Sequence, residues 1–143
     1  MTSKSKAFFD EYAAAYEKYD AHAVAEMYFL PAVIMSDDTK NVYTNREAIA
    51  EVIDELMDKL QGIGVEICEA DVCQTMRLSE NIMFSNVKWF FKNQAEELLF
   101  TCFVSYTLQF ENDSLKIIVS VIDDEERELE KLLFPTWWNS CLP

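Results

Sequence analysis

Apolar residues recur with helical spacing over the first part of the chain and with strand spacing over the second. Between Ser5 and Tyr19, the residues Phe8, Tyr12, Ala15, Tyr16 and Tyr19 fall at spacings of three and four, which draws one aromatic stripe down a helix. Glu11, Glu17 and Lys18 lie off that stripe. Asp20 is placed to N-cap a second, shorter helix over about Ala21 to Tyr28, on which Val24, Met27 and Tyr28 share a face and which Pro31 stops. Ala32 to Met35 and Val42 to Tyr43 are β-like runs around the polar turn 36–40, so a small hairpin is expected. Thr44-Asn45-Arg46-Glu47 has the form of an S/T-x-x-E capping box. Behind it Ile49, Val52, Ile53, Leu56, Met57 and Leu60 give the clearest helical face in the chain. Gly62 and Gly64 sit just past its end, where left-handed backbone angles are cheapest for glycine.

From Val65 the period becomes two, and four long strands are expected at about 65–77, 82–93, 98–110 and 114–122. Short turns between them imply antiparallel pairing. A turn centred on Gln94-Ala95 sets Phe91 opposite Leu98, Trp89 opposite Phe100 and Met83 opposite Tyr106. One centred on Asn112-Asp113 sets Leu108 opposite Ile117 and Tyr106 opposite Val119. Both registers put an almost wholly apolar set on one face, including Met83, Val87, Trp89, Phe91, Phe100, Val104, Tyr106, Leu108, Ile117, Val119 and Val121. The other face is mixed. It holds Asn86, Lys88, Ser105 and Ser120, but also Phe84, Phe90, Phe103, Ile118 and Ile122, which is too apolar for open water. A sheet-to-sheet homodimer through these five residues is the expected cover, and the tail folding over them is the alternative.

Composition narrows the function classes. Two glycines in 143 residues leave no material for a glycine-rich phosphate loop. A net charge of −14 with no basic run excludes the electrostatic footprint for nucleic acid or an anionic membrane surface. Ten Phe, six Tyr and three Trp are too many for a solvated polymer, so a folded chain with one core is expected, residues 1–133 forming one domain and 134–143 an aromatic tail. No leader and no membrane span is read, which points to a cytoplasmic protein. The cysteines, Cys68, Cys73, Cys102 and Cys141, form no C-x-x-C pair and His22 is the only histidine, so reduced thiols and neither metal nor cofactor are expected.

The order of elements, with Tyr12-Ala-Ala-Ala-Tyr16-Glu-Lys-Tyr19-Asp20, Val42-Tyr-Thr-Asn-Arg-Glu-Ala-Ile49 and Leu108-Gln-Phe110-Glu-Asn-Asp-Ser-Leu115, resembles the nuclear transport factor 2-like superfamily over about residues 5–123. That superfamily includes SnoaL-like polyketide cyclases and ketosteroid isomerases. The resemblance implies an α+β fold in which N-terminal helices pack on the concave face of a curved antiparallel sheet, a cone-shaped, cystatin-like half-barrel. It also implies a conical pocket, here lined by Tyr12, Tyr16, Ser36, Trp89, Phe100, Val104 and Tyr106. Tyr12 matches the isomerases' first-helix tyrosine, Ser36 falls where they carry an aspartate base, and Tyr106 falls where they carry a second acid. An unactivated serine cannot take a proton near neutral pH. Asp37 is adjacent, but neighbouring strand residues point to opposite faces. The catalytic candidates are therefore Tyr12, Asp37 and Tyr106, with the tyrosines as hydrogen-bond donors. His22 lies outside the later strands where the dehydratase branch places its histidines.

Three functions follow. The first is a non-catalytic domain that binds a small apolar or aromatic molecule in a closed cavity of a few hundred Å³, with one or two hydroxyls and no carboxylate inside. The second is an isomerase, cyclase or dehydratase acting on a polyketide- or steroid-like substrate, which needs a carboxylate or histidine at the pocket. The third is a protein-interaction or assembly module.

Overall fold

The computed structural model describes residues 2–123; the tail and nearly all of the acidic stretch from Asp123 to Glu130 lie outside the described residues. The elements run α1 (Thr2–Glu17), α2 (Ala21–Ala25), β1 (Tyr28–Met35), β2 (Lys40–Tyr43), α3 (Arg46–Gly62), β3 (Ile67–Arg77), β4 (Ile82–Lys92), β5 (Leu98–Glu111) and β6 (Ser114–Ile122). The strands form one curved six-stranded sheet in the order β2-β1-β6-β5-β4-β3. Every neighbouring pair is antiparallel except β1 and β6, which run parallel.

Local chemistry sets the helix ends. The Asp20 side chain accepts from the Ala23 amide at 3.0 Å, so α2 starts where the sequence places it. It ends after Ala25, however, and Tyr28 opens β1 instead of closing the helix. The Met27 carbonyl accepts from the Ile117 amide at 2.9 Å, which draws the chain into the sheet at that point. Pro31 consequently stops no helix. It sits inside β1, between Tyr28 and Val33, where the β1–β6 ladder is already irregular and a missing N–H costs little. The cap of α3 is also one residue later than the capping box implies. Asn45 accepts from the Ala48 amide at 2.9 Å, which puts Ala48 where the box requires a glutamate. Of the two glycines only Gly64, with φ of 87°, uses a left-handed conformation; Gly62 is still helical.

The two long hairpins deviate from the expected registers in different ways. Between β4 and β5 the loop is 94–96, closed by an Asn93 side chain that accepts from the Glu97 amide at 3.0 Å, with Glu96 at positive φ. A further irregularity follows, so that Lys92 pairs with Leu98 but Phe91 with Phe100. Two slips of one residue restore the original parity. Trp89 pairs with Cys102 and Met83 with Leu108, two positions from the expected partners but on the expected face. Between β5 and β6 the Asn112-Asp113 turn is as expected, both residues at positive φ and Glu111 paired with Ser114. A single bulge then falls at Ile118: Leu108 pairs with Ile117, but Thr107 pairs with Val119. Beyond it every side chain changes face. Ser120 and Ile122 point inward, while Val119 and Val121 point outward, the reverse of the sequence-based register.

Helices cover the concave face. Phe9 of α1 has no solvent exposure and its ring lies 4.8 Å from that of Tyr106. From α3, Ile49, Ile53, Met57 and Leu60 are buried, as their spacing predicts. Where α1 begins, the interior is packed solid around three hydroxyls: Ser5 Oγ lies 2.9 Å from Ser85 Oγ, and Thr75 Oγ1 lies 3.2 Å from Ser85 and 3.4 Å from Ser5. On the convex face, Val42, Val33, Val119, Thr107, Phe84 and Met76 follow one another across all six strands.

Candidate functional site

Away from that packed end, the concave face encloses a cavity. The volume open to the centre of a water-sized sphere is about 50 Å³. That is enough for a few waters and smaller than the several hundred Å³ expected from the sequence. Tyr12 and Tyr16 of α1 form one wall and Val52, Ile53 and Leu56 of α3 another. The sheet contributes Tyr28 and Ile34, Trp89 and Phe91, Val104 and Tyr106, and Ser120 and Ile122. Ile34, Val52, Leu56 and Ile122 also line a recess of about 200 Å³ at the rim, so the cavity and the recess adjoin.

Polar groups inside are hydroxyls and one indole. Tyr12 OH lies 2.9 Å from Tyr28 OH, which lies 3.1 Å from Ser120 Oγ. Trp89 Nε1–H donates to Tyr106 OH at 3.0 Å. The Tyr12 ring is surrounded by those of Tyr16, Tyr106, Trp89 and Tyr28, with centroids 5.3, 5.8, 5.9 and 6.4 Å away. Burial, followed by the neighbouring phenols, pushes the Tyr12 hydroxyl well above the usual phenol range. It remains a neutral hydrogen-bonding group and does not act as a base.

The structure brings together five of the sequence candidates, Tyr12, Tyr16, Trp89, Val104 and Tyr106, on one cavity wall. It places the others elsewhere. Phe100 is buried but stacks on Phe91 at 4.6 Å and does not line the cavity, because the two-residue register shift puts Cys102 opposite Trp89. Ser36 lies in the β1–β2 turn, its Oγ 2.8 Å from Thr39 Oγ1, and lines only the rim recess. Asp37 is exposed in the same turn, and His22 is exposed on α2. Neither reaches the cavity. Ile122, expected on the outer face, lines the interior instead.

Sequence reasoning missed Tyr28 and Ser120. A signal for Tyr28 was present: Tyr28, Leu30, Ala32 and Ile34 alternate as one strand face, and Tyr28, Ala32 and Ile34 are buried. Ser120 had none, because its inward position depends on the bulge at Ile118.

No acidic, basic or imidazole side chain lines the cavity. Around the recess the ionisable groups are Tyr43, Glu55 and Lys59. Burial and then Glu55 raise the Tyr43 hydroxyl above its ordinary value. Among the described residues no group of three His, Cys, Asp or Glu side chains is placed to hold a metal. Cys68 and Cys102 are buried thiols and Cys73 is exposed. No described helix is long and apolar enough to cross a membrane.

A family model described as NTF2-like protein (DUF6841) matches residues 3–125. No curated protein matches the sequence. Among solved structures, an NTF-2 like protein of unknown function from Shewanella oneidensis superposes with a TM-score of 0.70 at 12% identity, over 86% of this chain and 98% of that one. Aln2 from Streptomyces sp. gives 0.71 at 16% identity, over 90% and 93%. A ketosteroid isomerase-like protein from Erwinia carotovora atroseptica gives 0.59 at 16% identity, over 82% and 90%. These identities establish a shared fold.

Proposed function

The chain belongs to the NTF2-like (DUF6841) family, and from that premise we propose that it binds a small, neutral, apolar or aromatic molecule in the cavity without transforming it. One observation carries this reading: an apolar enclosure whose polar groups are hydroxyls and an indole, with no ionisable carboxylate, imidazole or amine in its wall. Binding sites of this kind are mostly apolar, with a few oriented polar groups. The catalytic alternative needs a proton acceptor, and the carboxylate nearest the cavity, Glu55, is exposed at the rim. A molecule larger than a few waters would occupy the cavity together with the adjoining recess. The test is to fill the space. Val104→Phe is expected to remove the thermal stabilisation that acetophenone gives the unmodified chain while leaving the protein folded; stabilisation that survives the substitution places the molecule elsewhere.

A second reading concerns the convex face, which we propose joins two copies of the chain. What supports it is the apolar row across the six strands, with Val42 62% and Met76 46% exposed, and Phe84, Phe90 and Phe103 half-buried beside it. Ile118 lies at the bulge, and Ile122 no longer belongs to this set. The test is sedimentation of the double variant Val42→Lys, Met76→Lys, which is expected to dissociate a dimer formed by the unmodified chain. A dimer that persists unchanged removes this face as the contact.

A further inference from the structure

We infer that Ser120 is the group that selects the ligand, donating a hydrogen bond to a carbonyl or ether oxygen at the cavity's rim side. This deepens the binding reading above and rests on it.

Hydrogen counting leads to Ser120. Ser120, Tyr28 and Tyr12 form a chain of three hydroxyls joined by two links. Each hydroxyl has one hydrogen and two acceptor positions. Two links consume two hydrogens, so one is left over, and it emerges at one end of the chain or the other. The ends differ. The Tyr12 phenol faces the phenols of Tyr16, Tyr28 and Tyr106, so oxygen acceptors surround it. The Ser120 end sits among hydrocarbon. Its partner across the parallel ladder is Ile34, its neighbour two positions along the strand is Ile122, and both of these also line the rim recess. A ligand entering from the recess therefore meets Ser120 before Tyr28 or Tyr12.

The bulge at Ile118 makes this arrangement. Without it Ser120 would face outward with Lys88 and Ser105, and Val121 would take the inward position. An oxygen on the ligand supplies an acceptor that hydrocarbon does not. Because Ser120 already has Tyr28 as a partner, the preference corresponds to one net hydrogen bond, or about tenfold in affinity, rather than the far larger penalty of an unsatisfied buried group. A carboxylate is rejected by the same wall, which contains no cation to offset its dehydration.

The experiment compares acetophenone with α-methylstyrene, which replaces the carbonyl oxygen by a methylene. Dissociation constants are measured on the full chain from the NMR shift of the Trp89 indole N–H, held by Tyr106 in the cavity wall. Acetophenone is expected to bind about tenfold more tightly. The ratio is expected to fall to about one in Ser120→Ala, and to persist in Ser120→Thr, which keeps the hydroxyl, and in Tyr12→Phe, which keeps the Ser120–Tyr28 pair. Equal binding of both probes by the unmodified chain overturns the inference and leaves the cavity reading intact. A ratio that survives Ser120→Ala also overturns it. Failure of both probes to bind overturns the cavity reading and the inference with it.

Discussion

Two buried groups of three hydroxyls sit under the same helices, and they differ in what surrounds them. Ser5, Thr75 and Ser85 each contact the other two, inside an interior with no space beside them. Tyr12, Tyr28 and Ser120 form an open chain along a cavity. The first group fixes the start of α1 to β3 and β4. The second leaves a hydrogen and some volume unused, which is what a binding site requires. Similar chemistry thus serves packing at one end of the cone and, in our reading, recognition at the other.

The contrast is sharpest in stability. Phe9→Ala, beside the packed group, is expected to cost about 3–5 kcal/mol in denaturant unfolding, because nothing can collapse into the space. Leu56→Ala, on the cavity wall, is expected at about 2 kcal/mol, since Leu56 already borders unfilled volume and is only half-buried. Equal losses would break the distinction between the two ends. Removing single hydroxyls repeats the comparison on a smaller scale. Ser85→Ala is expected to cost about 1–3 kcal/mol, because it takes a partner from both Ser5 and Thr75. Ser120→Ala is expected to cost less than about 1 kcal/mol, with water in the cavity able to replace the lost hydroxyl.

Alkaline titration separates the regions by protonation. Tyr19 is pushed up to about 12 by burial, then by Cys68 and Glu66, and its hydroxyl donates to the Val65 carbonyl. Tyr12 is raised further by fuller burial. A phenol whose folded pKa lies above its unfolded value adds stability that is complete below about pH 10 and declines as pH rises toward the folded value. Stability is therefore expected to be insensitive to these tyrosines from pH 7 to 9 and to fall above about pH 10. Phenolate absorbance from Tyr12 should appear only with unfolding; Tyr12→Phe checks this by removing that component. The smallest effect on the fold belongs to the convex face, where Val42→Lys is expected to change monomer stability by less than about 0.5 kcal/mol.

Much of this fold was legible in the chain, and the exceptions share a cause. Helical stripes and strand alternation are averages over many side chains, so α1, α3 and β3 to β6 emerge close to their observed limits. Inward and outward positions depend instead on counting single residues through loops and bulges. On β4 and β5 two irregularities cancel, and Trp89, Val104 and Tyr106 face the cavity despite a register two residues out. On β6 one bulge stands alone, and Ser120 and Ile122 exchange faces with Val119 and Val121. Tyr28 was obscured differently. A short helix and a strand meet at Met27, and Pro31 looks like the end of the helix when it lies within the strand. The resemblance through Tyr12 located α1 correctly in the cone, while Ser36, matched by spacing, falls on a turn at the rim.

The most direct test of the central claim is a two-dimensional NMR titration of the full chain with acetophenone and, separately, benzoate. Acetophenone is predicted to give saturable shifts at the Trp89 indole N–H and the backbone amides of Val104, Tyr106 and Ser120, with none from benzoate. Shifts confined to Phe84, Phe103 and Val119 on the convex face, or equal binding of benzoate, would contradict a neutral binding site inside the cone.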